Sequence, residues 1–582
     1  MLAAAISAAV AAPAQPDWVL RSNDIAHQVQ LINGKYYPEF ASDNGEEQYD
    51  LAVEDMGPQR FERRQADMDT LLAKLRAIRA AEADGKVGQD VDILIDSVSR
   101  DIDTSRLHHQ QLLEFIDPAA TAYEGLNALL DSRNKPERQV RAIERLKRYA
   151  GLTAGYTPIA ELARARMAEE LQRPGLTGPY VEGFKETLDN TDFYLNGVAD
   201  LFRKAKLTGW EPALDTLAKQ MHAYDAWAQE NIMPRTRSEA RQPAEIYATS
   251  LKNVGVDLSP DELIERAGFD FQEVRDEMQV LARQIAAKRH LPSSDYRDVI
   301  RFLKKDQLPP MAVLQRYWMR LHDIEAIIRR ENLLTLPDRK AQIRMATAAE
   351  AAAIPSPYFQ PARLIGNTGE QGIFIISTYN PHAKSGEKMD DDSYDAATWT
   401  LAAHEARPGH ELQYASMVEH GVSIARAIYA DNSANVEGWA LYCEAMILPY
   451  MPPEAQLISL QSRMLRYARA FLDPMVNLGR MTPAEAKRFL MNEVVFSEPA
   501  SQQEIDRYAF NDPGQATAYY YGYLQLRTLR TQAEIALGPK FSLKAFNDFV
   551  LAQGLLPPRQ LKRALLDDFI PQQQDKTVQI TR

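Results

Sequence analysis

His404, Glu405 and His410 stand within Leu401-Ala-Ala-His-Glu-Ala-Arg-Pro-Gly-His-Glu-Leu-Gln413. Two imidazoles flank a carboxylate that directly follows the first of them. Side chains of these types can bind zinc through the histidines while the glutamate acts as base towards a metal-bound water. The usual form, His-Glu-x-x-His, places the rings four residues apart, about 40° around a helix, whereas six residues put them about 120° apart. A regular helix could not aim both rings at one ion. The two additional positions hold Pro408 and Gly409. Proline has no N–H for the carbonyl of His404, and glycine tolerates unusual backbone angles. The sequence therefore predicts a local bulge or break that returns His410 to the metal.

A third ligand is sought in Asn435-Val-Glu-Gly-Trp-Ala-Leu-Tyr-Cys-Glu444. A catalytic zinc ordinarily takes three protein ligands and keeps one position open, and His, His, Glu is one of the standard sets. Glu437 lies 27 residues after His410, enough for a loop and a returning helix. Glu444 follows on the same helix face, about 20° away. One carboxylate could bind the ion while the other orients a ligand. The competing reading makes Trp439, Leu441 and Met446 core residues and leaves both glutamates in solvent.

These two stretches, His-Glu-x-x-Pro-Gly-His-x-x-Gln and Glu-Gly-Trp-Ala-x-Tyr-x-Glu, resemble the large bacterial family known as domain of unknown function 885 (DUF885), which is grouped with the His-Glu zinc metallopeptidases. A third stretch, Pro513-Gly-Gln-Ala-Thr-Ala-Tyr-Tyr-Tyr-Gly522, is close to the family's Pro-Gly-Gln-Ala-x-Ser-Tyr-x-x-Gly. It departs at Ala518, so any role of a hydroxyl there is lost. The motifs cover roughly residues 400–530, and likeness in length and order extends over most of the chain. The resemblance implies a mainly helical fold similar to the thimet-oligopeptidase and angiotensin-converting-enzyme group, with one zinc at the bottom of a deep channel. It also implies a peptidase.

Cleaving an amide with metal-activated water builds negative charge on the carbonyl oxygen, which needs a hydrogen-bond donor. The last histidine is His420, so a donor beyond it must be Tyr, Arg, Lys, Ser or Thr, an amide or the backbone. Tyr519 matches the family tyrosine, and Tyr520 and Tyr521 are neighbours that could replace it. Arg527 and Arg530 could pair with a substrate carboxylate. Alternatively the tyrosines pack into the core and the arginines hold surface acids. Glu405 and Tyr519 are thus the catalytic candidates, with His404, His410 and Glu437 as ligands. Glu444, Arg527, Tyr520 and His382 are supporting or substrate-binding candidates, His382 reaching the site from the loop Asn380-Pro-His-Ala-Lys384.

The elements that must carry these groups read as helical. Leu71, Leu75 and Ile78 mark one helix face, with Gly85 shortly beyond as a stop. Ser259-Pro-Asp-Glu262 and Thr482-Pro-Ala-Glu485 match the capping box with proline at the first helical position. Gly372-Ile-Phe-Ile-Ile-Ser-Thr-Tyr379 reads as a strand, which could align an extended peptide beside the zinc through an exposed edge or be an ordinary hairpin covering the core. Stretches at 173–183 and 307–310 read as loops. The expected fold is mainly α with a small β-element. It forms one catalytic unit over 15–582, with an N-terminal lobe at about 15–300 and a zinc lobe at about 301–582.

Composition bounds the rest. The 67 basic and 80 acidic residues give a formal charge of −13, which argues against nucleic acid as the main partner. No apolar run approaches the ~20 residues that span a bilayer. Cys443, the single cysteine, has no partner for an intramolecular disulfide and reads as a small buried filler. Residues 1–14 read as the apolar and small-residue parts of a secretory signal without its basic start. The periplasm or secretion is expected, or the cytoplasm if that segment is no signal. The function expected is zinc-dependent hydrolysis of short peptides. The alternatives are hydrolysis of a non-peptide amide or ester, and non-catalytic peptide binding on a peptidase scaffold.

Overall fold

The structure is a computed structural model that describes residues 16–575 apart from 348–349, 352–353, 355, 366, 368 and 378–388. The signal-like segment and His382 lie outside these residues. Helices dominate throughout, as expected, with one small sheet. Six helices build the site: α1 (Pro260–Arg289), α2 (Asp395–Glu405), α3 (His410–His420), α4 (Ser433–Ile447), α5 (Pro453–Asn477) and α6 (Ala518–Leu537). Among the described residues, no helix is long and apolar enough to cross a membrane.

Both expected capping boxes form. The Ser259 and Thr482 side chains accept from the backbone N–H of Glu262 and Glu485, whose carboxylates reach back to the capping residues' own N–H groups. Gly85 differs from expectation. The helix containing Leu71 and Leu75 ends at Ala81, and Gly85 opens the next one at Gly85–Gln111. Asp84 decides this, because its carboxylate accepts from the N–H groups of Lys86 and Val87 and caps the new helix.

Among the described residues, two large apolar cores form beside a small third one around Met417, Ala427 and Leu555. One gathers Leu126, Leu146, Met167, Phe202, Leu217 and Met221 from helices between residues 118 and 231. The larger one joins Phe271 and Met278 of α1, Ala402 and Ala403 of α2, Trp439 of α4 and Met464 of α5. Along its length α1 packs on α5, and α2 packs on both α4 and α5. These contacts fix the two motif helices against the long α5.

The sheet has three strands in the order β1 (Gln342–Met345), β3 (Ile373–Ile376), β2 (Tyr358–Gln360). The strand expected at 372–379 is real over 373–376, and Thr378 and Tyr379 lie outside the described residues. It is the central strand, parallel to β1 and antiparallel to β2. Both its edges are hydrogen-bonded, so it cannot accept an added peptide strand. The buried Phe374, Ile375 and Ile376 account for its apolar run.

Candidate metal centre

The expected break occurs between Glu405 and His410, where α2 stops and α3 starts. A side chain at position 409 would place its Cβ 1.7 Å from the carbonyl oxygen of His404, so only glycine lets the chain double back this closely. Three groups hold the turn. Trp439 Nε1 and Cys443 Sγ, both on α4, donate to the Pro408 carbonyl at 3.0 and 3.3 Å. The buried Arg407 guanidinium donates to Glu411, Glu325 and the Arg339 carbonyl at 2.7, 2.7 and 3.0 Å. Cys443 is buried and free, and it acts here as a donor as well as a filler.

The break brings the two imidazoles to 4.8 Å between centroids, their planes at 88°. Glu437 Oε2 lies 3.4 Å from Nε2 of His404 and 3.4 Å from Nε2 of His410. The candidate ligand atoms of these three residues all fall within 4.8 Å of one another. Glu444, about two turns further along α4 on the same face, sits behind His404, its Oε1 2.7 Å from Nδ1. That bond leaves Nε2 of His404 as the atom facing Glu437. Glu405 borders the group, Oε1 3.8 Å from His404 Nε2. Gln413 completes the motif from α3 by donating to Asn435 on α4 at 2.9 Å.

Whether this set suits a metal is decided by Glu437. Its Oε2 is buried without a hydrogen-bond partner, and so is Nδ1 of His410. A buried oxygen left bare costs about 1–3 kcal/mol unless something satisfies it. Two imidazole nitrogens and one carboxylate oxygen form a donor set for a divalent ion with room for further ligands. The residues fit such an ion.

The charges follow from this crowding. Burial opposes ionisation of Glu437, but the two histidines outweigh it and hold the carboxyl well below its ordinary range. Burial likewise opposes a charged His404, yet Glu437 and Glu444 raise its pKa to about 9. Glu405 is shifted up by burial, against the pull of both histidines, which is the direction a proton acceptor needs to work near neutral pH.

Tyr519 lies in the first turn of α6 and stacks near His404, ring centroids 6.4 Å apart and planes at 15°. Helices α4 and α6 meet through two glycines. A Cβ on Gly438 would come 2.5 Å from Gly522, and one on Gly522 would come 1.7 Å from the Ala434 carbonyl oxygen. This contact lets α6 lie close enough to present Tyr519 beside Glu437. His404, Glu405, His410, Glu437 and Tyr519 all line a cavity of about 1310 Å³.

Other candidates are placed elsewhere. Tyr520 is buried and donates to Asp270 at 2.8 Å, since one residue along a helix turns the side chain by about 100°. Arg527 is exposed, its guanidinium 5.5 Å from the Tyr523 ring, and is not brought to the cavity. Arg530 pairs with Glu534 at 2.8 Å. The arginines that do reach the cavity are Arg466 and Arg469 of α5 and Arg507. Their guanidinium carbons lie 5.9, 4.5 and 5.9 Å from the Tyr519 ring centre. Sequence reasoning missed them. The available signal was the pair of arginines inside the apolar run Met464-Leu-Arg-Tyr-Ala-Arg-Ala-Phe-Leu472, where solvated charges have no place.

The family model for bacterial proteins of unknown function called DUF885 matches residues 38–565. The chain belongs to the DUF885 family. Two solved structures share its fold. One is provisionally described as a lipoprotein of unknown function from Shewanella oneidensis, with a TM-score of 0.74 and 18% identity over 95% of this chain and 100% of that one. The other, a protein from Colwellia psychrerythraea also provisionally described as a lipoprotein, has a TM-score of 0.76 and 18% identity over 95% and 99%. No curated protein matches this DUF885 chain.

Proposed function

We propose that this DUF885 protein is a zinc-dependent peptidase that hydrolyses short peptides within the cavity. The observation that carries the reading is the bare, buried Oε2 of Glu437, equidistant from two imidazole nitrogens, with the unligated carboxylate of Glu405 beside it. His404, His410 and Glu437 would hold the ion. Bound there, zinc would supply Lewis acidity and a water that ionises near neutral pH.

The chain's own groups then divide the work. Glu444 fixes the ring of His404 through Nδ1, and Glu405 accepts a proton from the attacking water and returns it to the leaving amine. Tyr519 donates to the carbonyl oxygen as charge develops there. Retention of Glu405 supports catalysis over binding alone, because ligand capture does not need a base. The size of the cavity suits short peptides, and its walls carry the charged groups that peptide termini require. The lipoprotein descriptions of the two structural relatives support a place in the cell envelope.

The test has two parts. Metal analysis of the purified protein should give close to one zinc per chain, and a chelator should stop cleavage of a short-peptide library. Glu405→Gln should keep the metal and lower turnover by about 10²–10⁴-fold. A variant that still cleaves at near-normal rates removes Glu405 from the reaction. Zinc-dependent cleavage of esters or non-peptide amides without any peptide cleavage would replace the substrate class.

A further inference from the structure

Beside Tyr519 the cavity gathers three guanidinium groups, those of Arg466, Arg469 and Arg507. Glu504 is fully engaged. Its oxygens receive Arg469 Nη2 at 2.5 Å, Arg469 Nε at 2.8 Å and the Tyr508 hydroxyl at 2.8 Å. Arg507 approaches the same carboxylate only to 3.9 Å, which is ion pairing without a hydrogen bond. Its Nη1 is buried with no hydrogen-bond partner, and so is Nε of Arg466. Arg466 donates through Nη2 to Glu444 at 3.4 Å and through Nη1 to the Ser462 carbonyl at 3.1 Å, so its Nε alone is free. Arg507 and Arg466 both line the cavity and each keeps one buried, unpaired donor, and guanidinium donors match a carboxylate.

Position sets which carboxylate could arrive. The Tyr519 ring centre is 6.4 Å from that of His404 and 5.9 Å from the Arg507 guanidinium carbon. Laid end to end, these separations put Arg507 within about 12 Å of the His404 ring, a reach of roughly three or four extended residues. We propose that Arg507, aided by Arg466, binds a substrate carboxylate within about three residues of the bond to be cut. The inference rests on the peptidase reading for the cutting, while the carboxylate site itself is independent of it. A peptide's free C-terminus and an acidic side chain share this chemistry. The first would make the enzyme release short C-terminal fragments, the second would make it select acidic residues.

Equilibrium binding tests the site directly. Calorimetry on the full-length protein would compare an N-acetylated tripeptide acid, its C-terminal amide, and an amide carrying one glutamate. The acid should bind about ten- to a hundred-fold more tightly than the plain amide, and Arg507→Gln should erase that ratio. Arg507→Lys should restore part of it. Equal binding of all three peptides to the unaltered protein, or no binding of any, overturns the proposal whatever the variants do. Tight binding of the glutamate amide alone assigns the site to acidic side chains, and tight binding of the acid alone assigns it to the C-terminus. Binding with that preference but no cleavage would keep the carboxylate site and sink the peptidase reading.

Discussion

On one side of the cavity, His404, His410 and Glu437 crowd together, with Glu437 Oε2 and His410 Nδ1 lacking any hydrogen-bond partner. On another, Arg469 and Glu504 form a closed pair in which each planar group meets the other through two hydrogen bonds. Both sets are buried and both mix opposite charges. The difference is local: the Arg469–Glu504 pair is closed, while Glu437 Oε2 and His410 Nδ1 have no hydrogen-bond partner. Arg507 and Arg466 belong to the second pattern chemically but to the first in their unmet donors. At Glu437 and Arg507 we read the unpaired atoms as places for a group from outside, and the closed pair as what holds the wall in place.

The largest expected effect breaks the closed pair. Glu504→Gln leaves the buried Arg469 without its counter-charge, and chemical denaturation should show a loss of about 3–5 kcal/mol. Burial raises the Glu504 carboxyl, but Arg469 outweighs it and brings the pKa down to about 2 from 4.5. A depressed carboxyl stabilises above its unfolded value. That contribution is present above about pH 4.5 and is lost as the pH falls through about 2, a loss the variant should not show. Unchanged stability would mean that the Tyr519 ring, 4.5 Å from Arg469, is sufficient support for that guanidinium.

Next in size is Tyr519→Phe, which removes the proposed donor and keeps the ring that stacks between the two walls. Turnover of the best peptide should fall by about 10²–10³-fold, with metal content unchanged. Full activity would move the donor role to the arginines and weaken the contrast drawn between the two sides. Smaller still, Glu444→Gln keeps an acceptor for Nδ1 of His404 but removes its charge. Competition with a chromophoric chelator should report metal affinity lower by about 10–100-fold. No change would show that packing alone orients the ring.

The metal side was legible in the sequence because its chemistry is local. Pro408-Gly409 announced the break, and Glu437 and Glu444 shared a face by their spacing. The arginine side was not, because Arg469 and Arg507 come from helices 38 residues apart and meet only in the folded chain. Arg527 illustrates the limit of helical spacing. Eight residues beyond Tyr519 on α6, it is about 12 Å further along and about 80° around, which carries it out to solvent. The strand at 373–376 was readable from its β-branched run, but its central position depended on β1 and β2, whose short segments give no comparable signal. The two glycines that seat α6 on α4 were visible as residues, yet only the close approach of the backbones explains them.

The finest distinction concerns protons. In the metal-free protein, burial is outweighed by Glu437 and Glu444, and His404 titrates at about 9 against an ordinary 6.5. A raised imidazole stabilises the fold fully below about 6.5, and that contribution disappears as the pH rises through about 9. A metal ion needs the neutral ring, so it competes with this proton. Zinc uptake at pH 7 should therefore release about one proton from His404, and affinity should rise with pH until it levels off above about 9. Titration calorimetry in buffers of different ionisation enthalpy counts the protons. Uptake with no release, and an affinity flat from pH 6 to 9, would mean that His404 is already neutral. Glu444 would then accept from the ring without holding its charge, and the carboxylates around His404 would serve orientation alone.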